Sequence, residues 1–218
     1  MSPSHGSRVA ILGKIRQATG PGEPDIAGSY AALERKYVRA GRMSVEERLA
    51  LMIERLREYD AEVVEASPAS LPAEIAAMLG ASGRRTFVAP AGLPAEWLAA
   101  GFEWKIDHGL TTSEIEKTDG VVTASFSGIA DSGTIVLHHS STEGRRVISL
   151  LPDWHLCVLR ASDVVETLPE YFARCVQAPE LATYISGPSA TADIEMTRIK
   201  GVHGPRFLNV IVVRDEAQ

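Results

Sequence analysis

The chain has 218 residues, 45% apolar and 23% charged, which suits one generous domain or a domain with an arm. A net charge of −6 gives it no electrostatic grip on nucleic acid or on an anionic membrane. Two cysteines are too few for the thiolates of a common iron–sulfur cluster, for a four-cysteine zinc site or for a multi-bridge disulfide scaffold.

The N-terminal stretch MSPSHGSRVAILGK lacks the apolar core and small-residue cleavage site of a secretory signal. Apolar runs such as Val210–Val213 are far short of the roughly 18 residues of a membrane span. With Cys157 and Cys175 read as free thiols in apolar and helix-like surroundings, the expected compartment is a reducing cytoplasm. A first helix is expected over about 7–17, followed by a Gly/Pro-rich linker over 18–29. Ser44 and Glu47 have the spacing of a capping box. Behind them Leu49, Met52, Ile53 and Leu56 recur at helical spacing, predicting a helix to about Tyr59. Residues 1–60 therefore read as a helical arm packed on a domain spanning 61–218.

From residue 61 the pattern alternates between strand and helix. Strands are expected at 61–66, 85–90, 102–107, 121–126, 134–139, 145–151, 155–161, 183–187 and 206–213. Helices are expected at 71–79, stopped by Gly80, at the short stretch PAEWLAA, and over about 163–176, capped by Ser162 and interrupted by Pro169. Several strands are continuous apolar runs, the pattern of strands covered on both faces. The fold class is therefore α/β, with a mostly parallel sheet flanked by helices and preceded by a helical N-terminal arm.

The dinucleotide fingerprint, the P-loop, the nucleophile elbow, the zincin helix and the EF-hand loop are all missing. Gly201–Gly204 has the spacing of an RNA-binding GXXG loop, but the acidic balance opposes that reading.

Three segments carry polar chemistry. In the first, Asp131-Ser132-Gly133-Thr134 lies between two apolar strands. It reads either as a tight turn or as a pocket wall, with Ser132, Gly133 and Thr134 donating to an anion and Asp131 serving as acid or base. The second runs from Gly187 to Glu195 and contains Thr191 and Asp193. It reads as a capped strand-to-helix loop or as a ligand cradle at the carboxyl end of a strand. In the third, two glycines and a proline hold His203 in place between Gly201, Gly204 and Pro205, with Arg206 following. A metal site from His203, Asp193 and Glu195 matches no established spacing, so no metal is assigned. His138 and His139 face opposite sides of their strand, so at most one joins any single site, and His155 begins a later strand.

Together SGIADSGTIVL, LPDWHLCVL and SGPSATADIEMTRIKGVHGPRFLNVIVV closely resemble the lactate utilization protein C family, which carries the LUD domain. The resemblance covers about residues 60–218 well and the N-terminus loosely, and the compound SGPSxTADIE…GVHGP motif is specific. It implies a fold similar to the NagB/RpiA/CoA-transferase-like superfamily. It also implies a part in oxidising L-lactate to pyruvate beside two partners, one a cysteine-rich subunit and the other an iron–sulfur protein. The family signature falls on Gly133, Thr134, His155, Thr191, Asp193, Glu195, Gly201, His203, Gly204 and Pro205, while Asp131 stands where relatives carry Glu.

The expected site joins His203, Asp131 and Glu195 as catalytic groups. Ser132, Gly133, Thr134, Thr191, Asp193, Gly204, Arg206 and His155 bind a small carboxylate, with Arg206 and residues 132–134 forming its clamp. No cofactor is assigned. With two cysteines, the chain must leave the iron–sulfur carrier to another polypeptide. The alternatives are a stand-alone CoA-transferase-like or sugar-phosphate-type enzyme, with Asp131 or Glu195 as nucleophile, and a non-catalytic metabolite-binding scaffold.

Overall fold

The computed structural model describes residues 4–20, 25–191, 199–200 and 203–214. They group into two compact units, Met1–Tyr37 and Val38–Gln218. The first contains α1 (Ser4–Thr19) and α2 (Ile26–Ala32). Asp25 caps α2 by accepting from the Gly28 N–H at 2.8 Å, and Arg35 donates back to the Tyr30 carbonyl at 3.1 Å. None of residues 6–20 or 25–37 is buried.

The second unit begins its helices with α3 (Val45–Glu58), and the capping box forms as its spacing predicts. The Ser44 N–H donates to Glu47 Oε2 at 2.7 Å, and the Glu47 N–H donates to Ser44 Oγ at 3.3 Å. Leu49, Met52, Ile53 and Leu56 are all buried in the main core. The helix assigned to the arm by sequence is thus part of this unit's core, and the division falls ahead of it rather than at residue 60.

In chain order there follow β1 (Glu62–Ala66), α4 (Leu71–Ala81), β2 (Thr86–Pro90), β3 (Glu103–Asp107), α5 (Thr112–Ile115), β4 (Gly120–Ala124), β5 (Ser127–Ile129), β6 (Thr134–Leu137) and β7 (Trp154–Arg160). The chain continues with β8 (Val164–Val165), α6 (Leu168–Arg174), β9 (Thr183–Ile185), β10 (Ala190–Thr191), β11 (Ile199–Lys200) and β12 (Phe207–Val213). The main sheet has the order β1-β12-β7-β4-β2-β3, with every pair parallel, as the apolar runs predict. In one row Val63, Val210, Cys157 and Thr123 stand side by side. One face of this sheet packs on α4 through Ile75, Leu79, Leu156, Val158 and Ile211. The other packs on α3 and on a second, four-stranded sheet through Cys157, Leu159, Ala130, Ile135 and Leu137.

That second sheet, of order β8-β5-β6-β9, was not foreseen. The expected 134–139 strand pairs antiparallel with β5 across a short turn, because so few residues cannot make the crossover that parallel strands need. It reads as continuously apolar because Ile135 and Leu137 face the main core while Val136 faces Tyr171.

The expected strand at 145–151 is instead a 3-10 turn, Arg146–Ser149. Val147, Ile148 and Leu151 recur at helical spacing, and Ile148 is buried against Val88 and Val121. Pro169 stands in the first turn of α6 rather than interrupting it, and the Glu170 carboxylate accepts from the Glu166 and Thr167 N–H groups at 2.8 and 3.0 Å. Ser162 lies in a separate 3-10 turn, and α4 runs through Gly80 to Ala81. Among the described residues no helix is long and apolar enough to cross a membrane.

Candidate functional site

A cavity of about 240 Å3 opens where the amino ends of β7 and β12 meet the turn following β9. His155 and Leu208, paired across the β7–β12 register, line its inner end. The large sheet thus contributes its amino ends. The carboxyl end anticipated from the sequence belongs to β9 of the small sheet, which supplies Thr183, Ile185 and residues 186–189. Arg146 and Ser149 enter from the 3-10 turn, and His203 and Gly204 enter from the segment before β12. The Ser189 N–H donates to the Pro205 carbonyl at 2.8 Å and the His203 N–H to Ser189 Oγ at 3.0 Å, joining the two outer segments.

Arg146 is the cation of this cavity. It is half-buried, and burial lowers its pKa from the ordinary arginine value although a guanidinium stays charged in proteins. Nη1 donates to Ser149 Oγ at 3.3 Å, and no carboxylate among the described residues forms an ion pair with it. Its neighbour Arg145 turns the other way and holds the buried Asp107 through two bonds of 2.8 and 2.6 Å. With two further backbone N–H bonds, this pairing keeps the Asp107 carboxyl below its ordinary pKa.

His155 is 1% exposed, and its Nε2 lies 2.8 Å from Thr123 Oγ1. Burial, seconded by the field of Arg146, pushes its pKa down to about 4, so the ring is neutral at physiological pH. His139 supports the opposite wall. Its backbone adopts a left-handed φ of +59°, rare for a side chain of its size. Its Nδ1 lies 2.8 Å from the Gly144 carbonyl and its Nε2 lies 2.8 Å from the Thr183 hydroxyl. A carbonyl only accepts, so Nδ1 carries a proton. His138 points elsewhere, stacked 3.6 Å over Phe126 with Nε2 2.7 Å from Tyr171 Oη, and burial lowers its pKa.

The first sequence segment reaches the cavity only through hydroxyls. Ser132 Oγ and Thr134 Oγ1 are 2.7 Å apart, and Thr134 Oγ1 is 2.7 Å from Ser186 Oγ on the cavity wall. Gly133, at φ +60°, lets the turn lie on α3, since a Cβ there would stand 2.6 Å from Arg55 Cβ. Asp131 is exposed outside the cavity lining, its N–H donating to the Glu166 carbonyl at 3.0 Å. The cavity lining includes His203 but not Asp131.

Arg206, expected in the clamp, lies apart from the cavity lining. Its Nε and Nη2 hold Asp153 at 2.5 and 2.9 Å, so the protein's own carboxylate already occupies this fork. Thr191 contributes backbone to β10, while Asp193, Glu195 and Gly201 lie outside the described residues. Arg146 escaped the sequence reading because 145–151 looked like a strand. The usable signal was a charged residue beside a set of apolar positions at helical spacing. Among the described residues no three His, Cys, Asp or Glu side chains converge to hold a metal. Cys157 is buried and Cys175 half-buried, both as free thiols.

Comparison with known proteins agrees with this architecture. The LUD domain model matches residues 40–213, a span that includes α3 and every cavity residue. A Deinococcus radiodurans protein named lactate utilization protein C is 41% identical over 192 residues, covering 86% of this chain and 90% of that one. A Bacillus subtilis protein of the same name is 35% identical over 134 residues, and the match spans 55% of its length, about half. The crystal structure of a DUF162 family protein from Deinococcus radiodurans superposes with a TM-score of 0.67 at 37% identity, covering 79% of this chain and 99% of that one. The sequence motifs, the parallel sheet and these matches lead to one conclusion: the chain belongs to the LUD domain family.

Proposed function

We propose that the cavity binds a small carboxylate, L-lactate in the first instance, and that the chain serves lactate utilization as a subunit that leaves electron transfer to iron–sulfur and cysteine-rich partners. The observation that carries this reading is Arg146, a half-buried guanidinium at the cavity with no described carboxylate partner. A half-buried guanidinium with no ion pair among the described residues favours an anion, and a planar fork suits a carboxylate. The volume of about 240 Å3 limits the ligand to a small one. The names of the relatives from Deinococcus radiodurans and Bacillus subtilis supply the choice of lactate.

Oxidising a 2-hydroxy acid requires a clamp for the carboxylate, a base for the hydroxyl proton and an acceptor for the electrons. Arg146 takes the first role in place of Arg206. His203, exposed at the cavity mouth, takes the second; Glu195 is proposed as a further catalytic group, and Thr191 and Asp193 as ligand-binding ones, on the family signature alone. The acceptor is assigned to a partner subunit. A CoA-transferase-like mechanism needs a carboxylate nucleophile; of the two expected, Asp131 does not line the cavity and Glu195 lies outside the described residues.

Titration calorimetry with L-lactate tests the assignment. Arg146→Met is expected to weaken binding at least tenfold, the order expected from losing a charged hydrogen-bonded contact. Arg206→Ala is expected to leave binding within about twofold. Unchanged affinity in Arg146→Met, with the fold intact by circular dichroism, would overturn the reading.

A further inference from the structure

The wall behind His155 is a chain of polar side chains whose direction can be worked out from its far end. Thr123 Oγ1 lies 2.8 Å from His155 Nε2 and 3.8 Å from Cys157 Sγ, and Cys157 Sγ lies 3.7 Å from the Ala124 carbonyl oxygen. Thr123 and Cys157 are register partners on β4 and β7, so the parallel ladder sets their spacing. All three side chains are buried, so water does not compete for these bonds.

The Ala124 carbonyl can only accept, so Cys157 donates its S–H there. Burial pushes the Cys157 pKa up to about 12, which keeps that proton on sulfur. The sulfur lone pairs then accept the Thr123 O–H, and the Thr123 oxygen accepts from the ring. Proton positions propagate along such a chain because each hydroxyl or thiol has a single hydrogen to give. Arg146, whose field His155 feels, lines the same cavity and is a pure donor.

We infer that Thr123 and Cys157 are positioning residues that hold His155 as the Nε2–H tautomer, leaving Nδ1 as its single lone-pair nitrogen. A ring that lines the cavity in this form is a neutral hydrogen-bond acceptor. Together with the donor Arg146 it presents a ligand with one group for its anionic end and another for an O–H or N–H. Only that consequence rests on the proposed carboxylate site; the tautomer is a property of the ligand-free protein.

Nitrogen-15 NMR of the intact chain labelled at its six histidines reads the tautomer from the two ring shifts, with the His155 signals assigned by their loss in His155→Gln. The wild-type protein is expected to show protonated Nε2 and unprotonated Nδ1. Thr123→Ser and Cys157→Ser keep the chain and should keep this pattern. Cys157→Ala frees the Thr123 hydroxyl to donate to Nε2, so its ring should move to the Nδ1–H form or to a mixture. An Nδ1–H ring in the wild type, or a Cys157→Ala spectrum identical to wild type, would overturn the inference, and the wild-type measurement decides even if a variant fails to fold. A protein with the expected tautomer that binds no lactate would instead count against the proposed ligand alone.

Discussion

At the scale of single residues, the cavity combines a half-buried cation, a neutral imidazole and hydroxyls whose partners lie behind the wall. The cost of burying His155 is visible in its titration. Its folded pKa of about 4 lies below the ordinary histidine value of 6.5, so between these pH values the unfolded chain binds a proton that the native state refuses. Its contribution is therefore fully present above about pH 6.5 and is lost as the pH falls toward 4, to a total of about 3 kcal/mol. Urea unfolding at pH 7 and pH 4.5 should show this loss in the wild type and a smaller pH dependence in His155→Gln. Equal slopes in the two proteins would refute the assignment. Arg146 and Arg206 teach the complementary lesson: both are arginines near the same strands, but Asp153 has already neutralised one of them.

Secondary-structure elements set how these residues are held. The turn at residues 130–133 rests on α3 with only a hydrogen atom's room at Gly133, whereas Gly80 in α4 has no atom within 4 Å of where a Cβ would stand. Gly133→Ala, strained both by its left-handed φ and by Arg55, is expected to destabilise by about 1–3 kcal/mol. Gly80→Ala should be neutral or stabilising by about 0.5–1 kcal/mol, since it gains helix propensity at no steric cost. Chemical denaturation of the two variants checks both signs.

A second local device lies at the entry to α3. Glu170 Oε1 accepts from the Gly41 N–H at 2.6 Å, while Glu166 Oε2 accepts from the Arg42 and Met43 N–H groups at 2.6 and 2.7 Å. Glu170 is partly desolvated, but its backbone N–H bonds outweigh that burial and hold its pKa below the ordinary carboxylate value. The unfolded chain therefore protonates first on acidification, and this contribution is lost as the pH falls through the native pKa. Glu170→Ala should cost about 1–3 kcal/mol at pH 7 in urea unfolding, and less once the wild-type carboxyl is protonated.

For the whole molecule, the consequential boundary is the one ahead of α3. No described residue before Val38 with assigned exposure is buried, whereas Leu49, Met52, Ile53 and Leu56 are all core residues. Burying four such side chains contributes about 6–12 kcal/mol, comparable to the whole stability of a domain. A 38–218 fragment is therefore expected to unfold cooperatively with a melting temperature close to that of the intact chain. A 61–218 fragment should lack a cooperative transition, as calorimetry would show.

Much of this architecture is local information. Capping at Ser44, the apolar stripe of α3 and the doubly covered strands of the parallel sheet are written in residue spacing, because helix and strand periods bring neighbours along the chain to one face. His155 and His203 could likewise be singled out from their motifs. What only tertiary structure decided is who shares a cavity and who is already paired. Arg206 meets Asp153 across 53 positions, Thr183 meets His139 across 44, and Thr134 meets Ser186 across 52. These contacts depend on strand order and on a second sheet stacked upon the first. Composition and periodicity say which face of an element is buried, but not which other element will cover it.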